Sequence, residues 1–297
     1  MLEHLLPLLR CPACKGTLDN RVLRLVCACG RSYAVVDGIP RFAPTFDDGF
    51  DARWREHPKG QATTQPVWDS KLGWGPSELS GRVVLDAGCG VGRFAALAGS
   101  YGATVIGLDA SPSALAGAAH NAPAAMLVQG DLLATPIADE AVDVAFSVGV
   151  LHHTADPREA FLRLARTVKR GGLLGVWLYA DHTNGDPVAR RAADFLHEIT
   201  RTCDPAALHA ACERHSVALR DLYAHSSPEG TSALRTVLAV SSCVDADECV
   251  SDTFDWHVPQ WRSYHTREEV IGWFAEAGYE VVQAPAKPPV TVHGRRK

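Results

Sequence analysis

The stretch Val83-Val84-Leu85-Asp86-Ala87-Gly88-Cys89-Gly90-Val91-Gly92-Arg93-Phe94 constrains the fold more than any other. Val83 to Leu85 form an apolar run that reads as a buried strand, and Phe94, Leu97 and Ala98 open a helix of apolar period. The glycines between them form a turn that lets a nucleotide-bearing ligand approach the backbone closely. Gly88 and Gly90 occupy two positions of a dinucleotide fingerprint, but Arg93 stands where the third glycine would fall. Asp86 precedes the turn. A carboxylate there disfavours a pyrophosphate and favours a ligand carrying positive charge.

Strand and helix continue to alternate downstream. Val105 to Asp109 read as a second strand ending in an acid, and Leu127 to Leu132 as a third ending in Gly130-Asp131-Leu132. Val142 to Val148 are a fourth strand, with His152 and His153 at its exit. Lys169-Arg170-Gly171-Gly172 precede a fifth, Leu173 to Tyr179. Ser111-Pro112 reads as an N-cap with proline at the first helical position. Arg158 to Lys169 place Phe161, Leu164, Ala165 and Val168 on one helical face, and Gly171-Gly172 are expected to end that helix. Such alternation predicts a parallel sheet with helices on both faces.

These motifs, in this order, resemble the class I S-adenosylmethionine (SAM) methyltransferases of the type 11 kind, strongly over residues 80 to 180. The resemblance implies an α/β fold with a Rossmann-like seven-stranded sheet whose last two strands pair antiparallel at one edge. Tyr279 to Val282 and Val290 to Val292 are the candidates for that pair. Thr266 and Glu269 form a capping box for the helix before them, and Gly278 ends it. The resemblance also implies SAM as methyl donor. Asp109 would accept from the ribose hydroxyls, because a carboxylate offers two acceptor oxygens; its other reading is a helix-capping acid before Ser111. Asp131 would accept from the adenine amine with the Leu132 amide beside it, or else is a turn aspartate. Gly88, Cys89 and Gly90 would admit the amino-acid end, with Asp86 near its amino group and the backbone at Ser147 and Val148 lining the same end. Ala110 adjoins the ribose position.

Residues 1 to 45 form a separate unit. Cys11-Pro12-Ala13-Cys14 and Cys27-Ala28-Cys29-Gly30 flank the apolar run Val22 to Val26, which suggests knuckle, strand, knuckle. Close cysteine pairs about a dozen residues apart suit tetrahedral zinc, with Cys11, Cys14, Cys27 and Cys29 as ligands. A metal staple makes sense in a unit too small to stabilise itself by burial. The unit, with its tail Tyr33 to Pro40, resembles the zinc-ribbon activators of tRNA and protein methyltransferases. It departs from them at the second knuckle, Cys-x-Cys where Cys-x-x-Cys is commoner. The other reading is a metal-free mini-domain with buried thiols.

Residues 46 to 79 read as a linker and helical entry segment carrying Trp54, Trp68 and Trp74, which either fold over the cofactor pocket or pack as ordinary aromatics. Residues 80 to 297 make the SAM-binding domain. It is interrupted at about 185 to 250, where Val188, Ala192, Phe195 and Ile199, then Leu208, Cys212, Leu219 and Leu222, recur at helical spacing. This helical insertion is expected to cap the substrate site, or else to serve as a structural or dimer-forming extension, which would make a homodimer.

Methyl transfer needs a base only when the nucleophile must lose a proton. His152 and His153 sit where related enzymes place substrate-facing residues, and either could take a proton near neutral pH; the alternative is a His-His-Thr loop bonded before Asp156-Pro157. Between Asp252 and His265 lies a connection rich in aromatic and titratable side chains. Asp255, His257, Tyr264 and His265 are candidate substrate contacts or a base, against the reading of a packed loop.

Composition narrows the field. The 297 residues are 46% hydrophobic and 21% charged, as in a soluble globular protein. No apolar run reaches the roughly 18 residues of a membrane span, and Leu5 to Leu9 are too short for a signal peptide. A cytoplasmic protein is expected, with its nine cysteines as thiols or metal ligands. The net charge of −5 gives no general attraction to nucleic acid. A small molecule, such as a specialised metabolite, is therefore the favoured acceptor, through O, N or C. Two other readings stand beside it: an RNA or protein methyltransferase gripping its substrate with the zinc ribbon, and a non-catalytic SAM-fold scaffold.

Overall fold

The computed structural model describes residues 2–43, 63–180, 187–226, 238–286 and 290–297. Trp54 lies outside the described residues. The chain divides into two compact units, one of residues 1–46, 61–180 and 263–297, the other of 47–60 and 181–262.

The first unit begins with helix α1 (Leu2–Leu5), followed by a four-stranded antiparallel sheet in sequential order, β1 (Leu18–Arg21), β2 (Arg24–Cys27), β3 (Ser32–Val36) and β4 (Ile39–Pro40). Here the sequence expectation needs correction. The run Val22 to Val26 is not one strand but the turn and return arm of a hairpin, with Arg21 paired to Arg24. Leu23 adopts a left-handed conformation at φ 59°, and Val22 and Leu23 stand exposed at the tip. Apolar residues suggested a strand; a left-handed turn position that usually favours glycine was filled by leucine.

Helices α2 (Thr64–Lys71) and α3 (Pro76–Leu79) lead into a seven-stranded sheet. Its elements are β5 (Val83–Ala87), α4 (Arg93–Ser100), β6 (Thr104–Asp109), α5 (Pro112–Asn121), β7 (Met126–Gln129), β8 (Val142–Val148), α6 (Pro157–Thr167) and β9 (Val168–Leu178). After the second unit's helices α7 (Pro187–Thr200), α8 (Pro205–His225) and α9 (Ala246–His257) come α10 (Arg267–Glu276), β10 (Tyr279–Gln283) and β11 (Val290–Arg296). The sheet order is β10-β11-β9-β8-β5-β6-β7, parallel except for β11, which runs antiparallel to both neighbours. This is the Rossmann-like seven-stranded sheet, with its last two strands antiparallel at one edge, that the sequence predicted.

Both faces of the sheet are covered, which explains its continuous apolar strands. Successive residues feed opposite cores: Val84, Val144 and Phe146 join Trp68, Phe94 and Leu115 on one face. Leu85, Val142 and Ala145 join Phe161, Leu164 and Phe274 on the other. Trp68 and Trp74 are core residues, with the Trp68 indole N–H donating to the Trp74 carbonyl at 2.7 Å, so ordinary packing accounts for both. Leu9, Leu18, Leu25 and Val35 of the N-terminal sheet belong to the same core as Leu85 and Phe161. Arg41 bridges Gln129, and the Phe42 amide donates to the Gln129 carbonyl at 2.8 Å, so the N-terminal unit covers the exposed edge of β7.

The caps form as read. Ser111 accepts from the Ala114 amide at 3.0 Å, and both bonds of the Thr266–Glu269 capping box are present. One boundary differs. Helix α6 stops at Thr167, and Gly171-Gly172 lie inside β9 rather than after a helix. A Cβ at Gly172 would stand 2.5 Å from the Asp143 carbonyl oxygen, so this glycine serves close strand approach.

The second unit is helical in its described part. Cys212 on α8 packs with Val250, Phe254 and Val258. The Asp252 to His265 segment was expected to be a connection, yet α9 extends through His257. Among the described residues no helix is long and apolar enough to cross a membrane.

Candidate functional site

The sheet reverses its winding between β5 and β8: one half of the chain proceeds outward through β6 and β7, the other through β9. A crevice opens at the carboxyl ends of strands at such a switch point. The glycine turn stands there. Gly88, Gly90 and Gly92 have φ of 85°, 52° and 82°, all left-handed. At Gly88 a Cβ would fall 2.3 Å from Val150, so no side chain fits. The amides of Gly88 and Cys89 donate to the Leu108 carbonyl, which fastens the turn to β6. Gly92 caps α4. Sequence reasoning missed it by looking for the third glycine at position 93; the spacing Gly-x-Gly-x-Gly was the available signal.

Asp86 ends up at 2% exposure, and its Oδ2 has no hydrogen-bond partner among the described residues. Burial pushes its carboxyl well above the usual range, Asp109 adds to this, and Arg93 opposes it. A buried carboxyl with an unpartnered oxygen is a costly feature that a cationic ligand group would relieve. Asp109 accepts from the Gly90 amide through Oδ2 (2.8 Å) and from the Ser111 amide through Oδ1 (2.9 Å). A carboxylate has about four acceptor sites, so capping and ligand binding are compatible in principle. Asp131 caps a single 3-10 turn, Leu132–Ala134, by accepting from the Leu133 amide at 2.8 Å. Buried Gln129 donates to the Ala110 carbonyl at 3.0 Å, a loop anchor that carried no sequence signal. Ser147 donates to the Ala87 carbonyl at 2.9 Å, and Val148 ends β8. Cys89 is buried, and burial holds its thiol well above its ordinary value, with Asp109 and Asp86 contributing.

A second cluster forms beyond β8 and β9. His152 is fully buried in the 3-10 turn Leu151–His153. The Tyr179 amide donates to its Nδ1 at 3.2 Å, and the Tyr179 ring stacks on it at 3.7 Å. Burial, with His153 and His265 adding charge repulsion, drives its pKa well below the imidazole range. His152 is therefore neutral with its proton on Nε2, and that nitrogen has no partner among the described residues. His153 meets His152 edge-on at 4.2 Å and Tyr179 at 5.3 Å. Tyr264 stacks on Tyr179 at 6.2 Å. His265 bonds Ser263 Oγ through Nε2 (2.8 Å) and Glu269 Oε2 through Nδ1 (3.1 Å), and its amide donates to the Tyr179 carbonyl. The Ser263 amide in turn donates to the His152 carbonyl at 3.0 Å. Thus His152, His153, Tyr264 and His265 are brought together, with Tyr179, Ser263 and Glu269 as partners that sequence reasoning did not single out.

His257 and Asp255 lie in the second unit. His257 Nε2 is 2.9 Å from the Ala239 carbonyl, and burial lowers its pKa to about 4. Asp255 is buried on the same helix.

In the N-terminal unit the sulfurs of Cys11, Cys14, Cys27 and Cys29 all lie within 4.8 Å of one another. Cys11–Cys29 is 3.8 Å and Cys14–Cys27 is 3.4 Å. Gly30, at φ 87°, closes the shortened second knuckle, with its amide donating to the Cys27 carbonyl. Burial raises the Cys11 thiol, but the Tyr33 hydroxyl and neighbouring amides outweigh it and bring it down to about 6.

Residues 85–176, which build the crevice, match the family model of a methyltransferase domain. The chain is 36% identical over 104 residues to an uncharacterized methyltransferase of Mycobacterium leprae (strain Br4923), covering 33% of this chain and 39% of that protein. It is 34% identical over 113 residues to a malonyl-[acyl-carrier protein] O-methyltransferase of Serratia marcescens, covering 38% and 44%. The chain thus spans about two fifths of the length of these curated relatives. Among solved structures, a magnesium protoporphyrin IX methyltransferase from Synechocystis PCC 6803 is 15% identical, with coverage of 84% and 95% and a TM-score of 0.48.

Proposed function

We propose that this protein is a SAM-dependent methyltransferase acting on an O, N or C nucleophile of a small molecule. One observation carries the reading: the unpartnered, buried Oδ2 of Asp86 beside a left-handed glycine turn and the Asp109 carboxylate. These are the groups that a ligand with a cationic amino-acid end and a ribose diol requires. When bound, SAM supplies an activated methyl on a sulfonium. The chain's own residues bind and orient it. Asp86 balances the amino group, the Gly88 to Gly90 backbone admits the carboxylate end, and Asp109 accepts from the ribose. Asp131 and Leu132 serve the adenine, and Ser147 and Val148 line the amino-acid end.

On the acceptor side, His153 is the residue we assign to take the proton. His152 is poorly suited because its Nδ1 lone pair is occupied by the Tyr179 amide. Its Nε2–H is instead a hydrogen-bond donor to the acceptor. Positioning contributes most of the rate in such an in-line transfer. A co-crystal structure with S-adenosylhomocysteine tests the assignment. Ribose against Asp109 and the amino group against Asp86 would support it; a ligand seated elsewhere would refute it.

We further propose that the four cysteines hold a structural zinc ion. Tetrahedral zinc with Zn–S of about 2.3 Å separates sulfurs by about 3.8 Å, which the observed 3.8 and 3.4 Å approach. Metal analysis of purified protein should return about one equivalent of zinc; under half an equivalent contradicts the proposal.

A further inference from the structure

A cavity of about 290 Å³ lies apart from the crevice residues, lined by Arg10, Lys15, Arg163, Arg166, Asp139 and Thr135 among others. Four cations thus face one carboxylate in a chain whose net charge is −5. Convergence of like charges is unfavourable unless something of opposite sign joins them. Arg163 and Arg166 are three residues apart on α6, a spacing that makes them neighbours on the helix surface and costs a few tenths of a kcal/mol for like charges.

Three of the four cations have named partners. Lys15 Nζ donates to the Thr135 carbonyl at 2.8 Å. Arg10 Nη1 donates to the carbonyls of Pro7 (3.0 Å) and Leu9 (2.7 Å), and the Arg10 amide to that of Pro136 (2.7 Å). Arg163 Nε lies 2.7 Å from Glu159 Oε1. An arginine carries five N–H donors, so these contacts leave donors over. Lys15 follows Cys14 directly, and its amide donates to the Cys11 carbonyl at 2.8 Å. It adopts φ 60°, a left-handed conformation that costs a non-glycine residue about 1 kcal/mol. Glycine would make the same turn without that cost. The turn closes the first cysteine knuckle as Gly30 closes the second, and the lysine brings to the cavity an ammonium that the knuckle itself does not require.

We propose that this cavity binds a phosphate group, free or as the phosphate ester of a small molecule. A tetrahedral dianion offers acceptor oxygens in several directions, which matches arginine forks and an ammonium arriving from different elements. Because the wall combines the N-terminal unit with α6, an occupied site would clamp the two together.

Inorganic phosphate and glycerol phosphate are the probes, titrated into the full zinc-loaded chain at constant ionic strength. At least one of them should bind saturably and raise Tm accordingly. Arg166→Glu and Lys15→Gly should each weaken that binding at least about tenfold. Lys15→Gly relieves the left-handed strain, so a loss there does not reflect misfolding, and SAM affinity should be unchanged in both variants. Tighter binding of glycerol phosphate than of phosphate would assign the ester form; the reverse order would assign free phosphate. Absence of saturable binding of either up to about 10 mM, or unchanged affinity in both variants, would overturn the proposal.

Discussion

The proposed cofactor end and the proposed acceptor end of the crevice are built by different means. The cofactor end is mostly backbone: three left-handed glycines, amides tied to the Leu108 carbonyl, and two aspartates at strand ends. The acceptor end is mostly side chain: His152 held between an amide and the Tyr179 ring, and His265 held between Ser263 and Glu269. Backbone geometry leaves little freedom in residue type. Side-chain clusters tolerate exchange, because another residue can fill the same space. The first end should therefore fix the donor, and the second should choose the acceptor.

Substitution at the glycine turn should have the largest effect. In Gly88→Ala the left-handed φ and the 2.3 Å approach to Val150 act together. We expect a cost of about 3 kcal/mol and SAM affinity at least about a hundredfold weaker by calorimetry. Wild-type affinity would break the distinction between the two ends. Next comes His153→Asn. Removing a general base should lower kcat about a hundredfold while leaving SAM binding within about twofold. A fall in SAM affinity of the same size as the fall in kcat would place His153 with the cofactor instead.

Asp86→Asn should have a smaller effect, with opposite signs in the free and bound states. The Asp86 carboxyl is raised by burial, so the folded protein retains a proton that the unfolded chain has already released. The cost to stability is absent below the unfolded carboxylate range and grows as pH rises through the folded value. The variant lacks this cost. Without ligand its unfolding free energy should exceed the wild type's at pH 8 by about 1 kcal/mol, read as a higher Tm, and the gap should close toward pH 4. A gap independent of pH would contradict the assignment. Glu269→Gln should be the mildest, below about 1 kcal/mol, since the glutamate is partly exposed and Gln can still accept from the Thr266 amide. Its signature should be a modest fall in kcat without loss of SAM binding.

The contrast between the ends also explains what could be read from the sequence. Glycines at left-handed positions, an acid at the end of each of β5 and β6, and apolar strands buried on both faces each leave a local mark. Asp86, Gly88, Gly90 and Asp109 could be singled out for that reason. Tyr179, Ser263 and Glu269 could not, because their contacts depend on the meeting of β9, the Leu151–His153 turn and α10, which are distant in the chain. Where local composition misled, a competing physical requirement had won. Val22 to Val26 are apolar enough for a strand, but the hairpin places Val22 and Leu23 at an exposed tip. Gly171 and Gly172 suggest a helix end, but close approach of β9 to Asp143 needs a residue without a Cβ.

In the proposed function, Asp86 supplies the countercharge for a cationic SAM. Titration calorimetry with SAM in two buffers of equal pH and different ionisation enthalpy tests it most directly. A protonated Asp86 that ionises as the cation arrives must give its proton to the buffer. We predict net proton release in the wild type and a clearly smaller release, with weaker binding, in Asp86→Asn. Buffer-independent heats in the wild type, or equal affinity and equal proton release in the variant, would contradict the account.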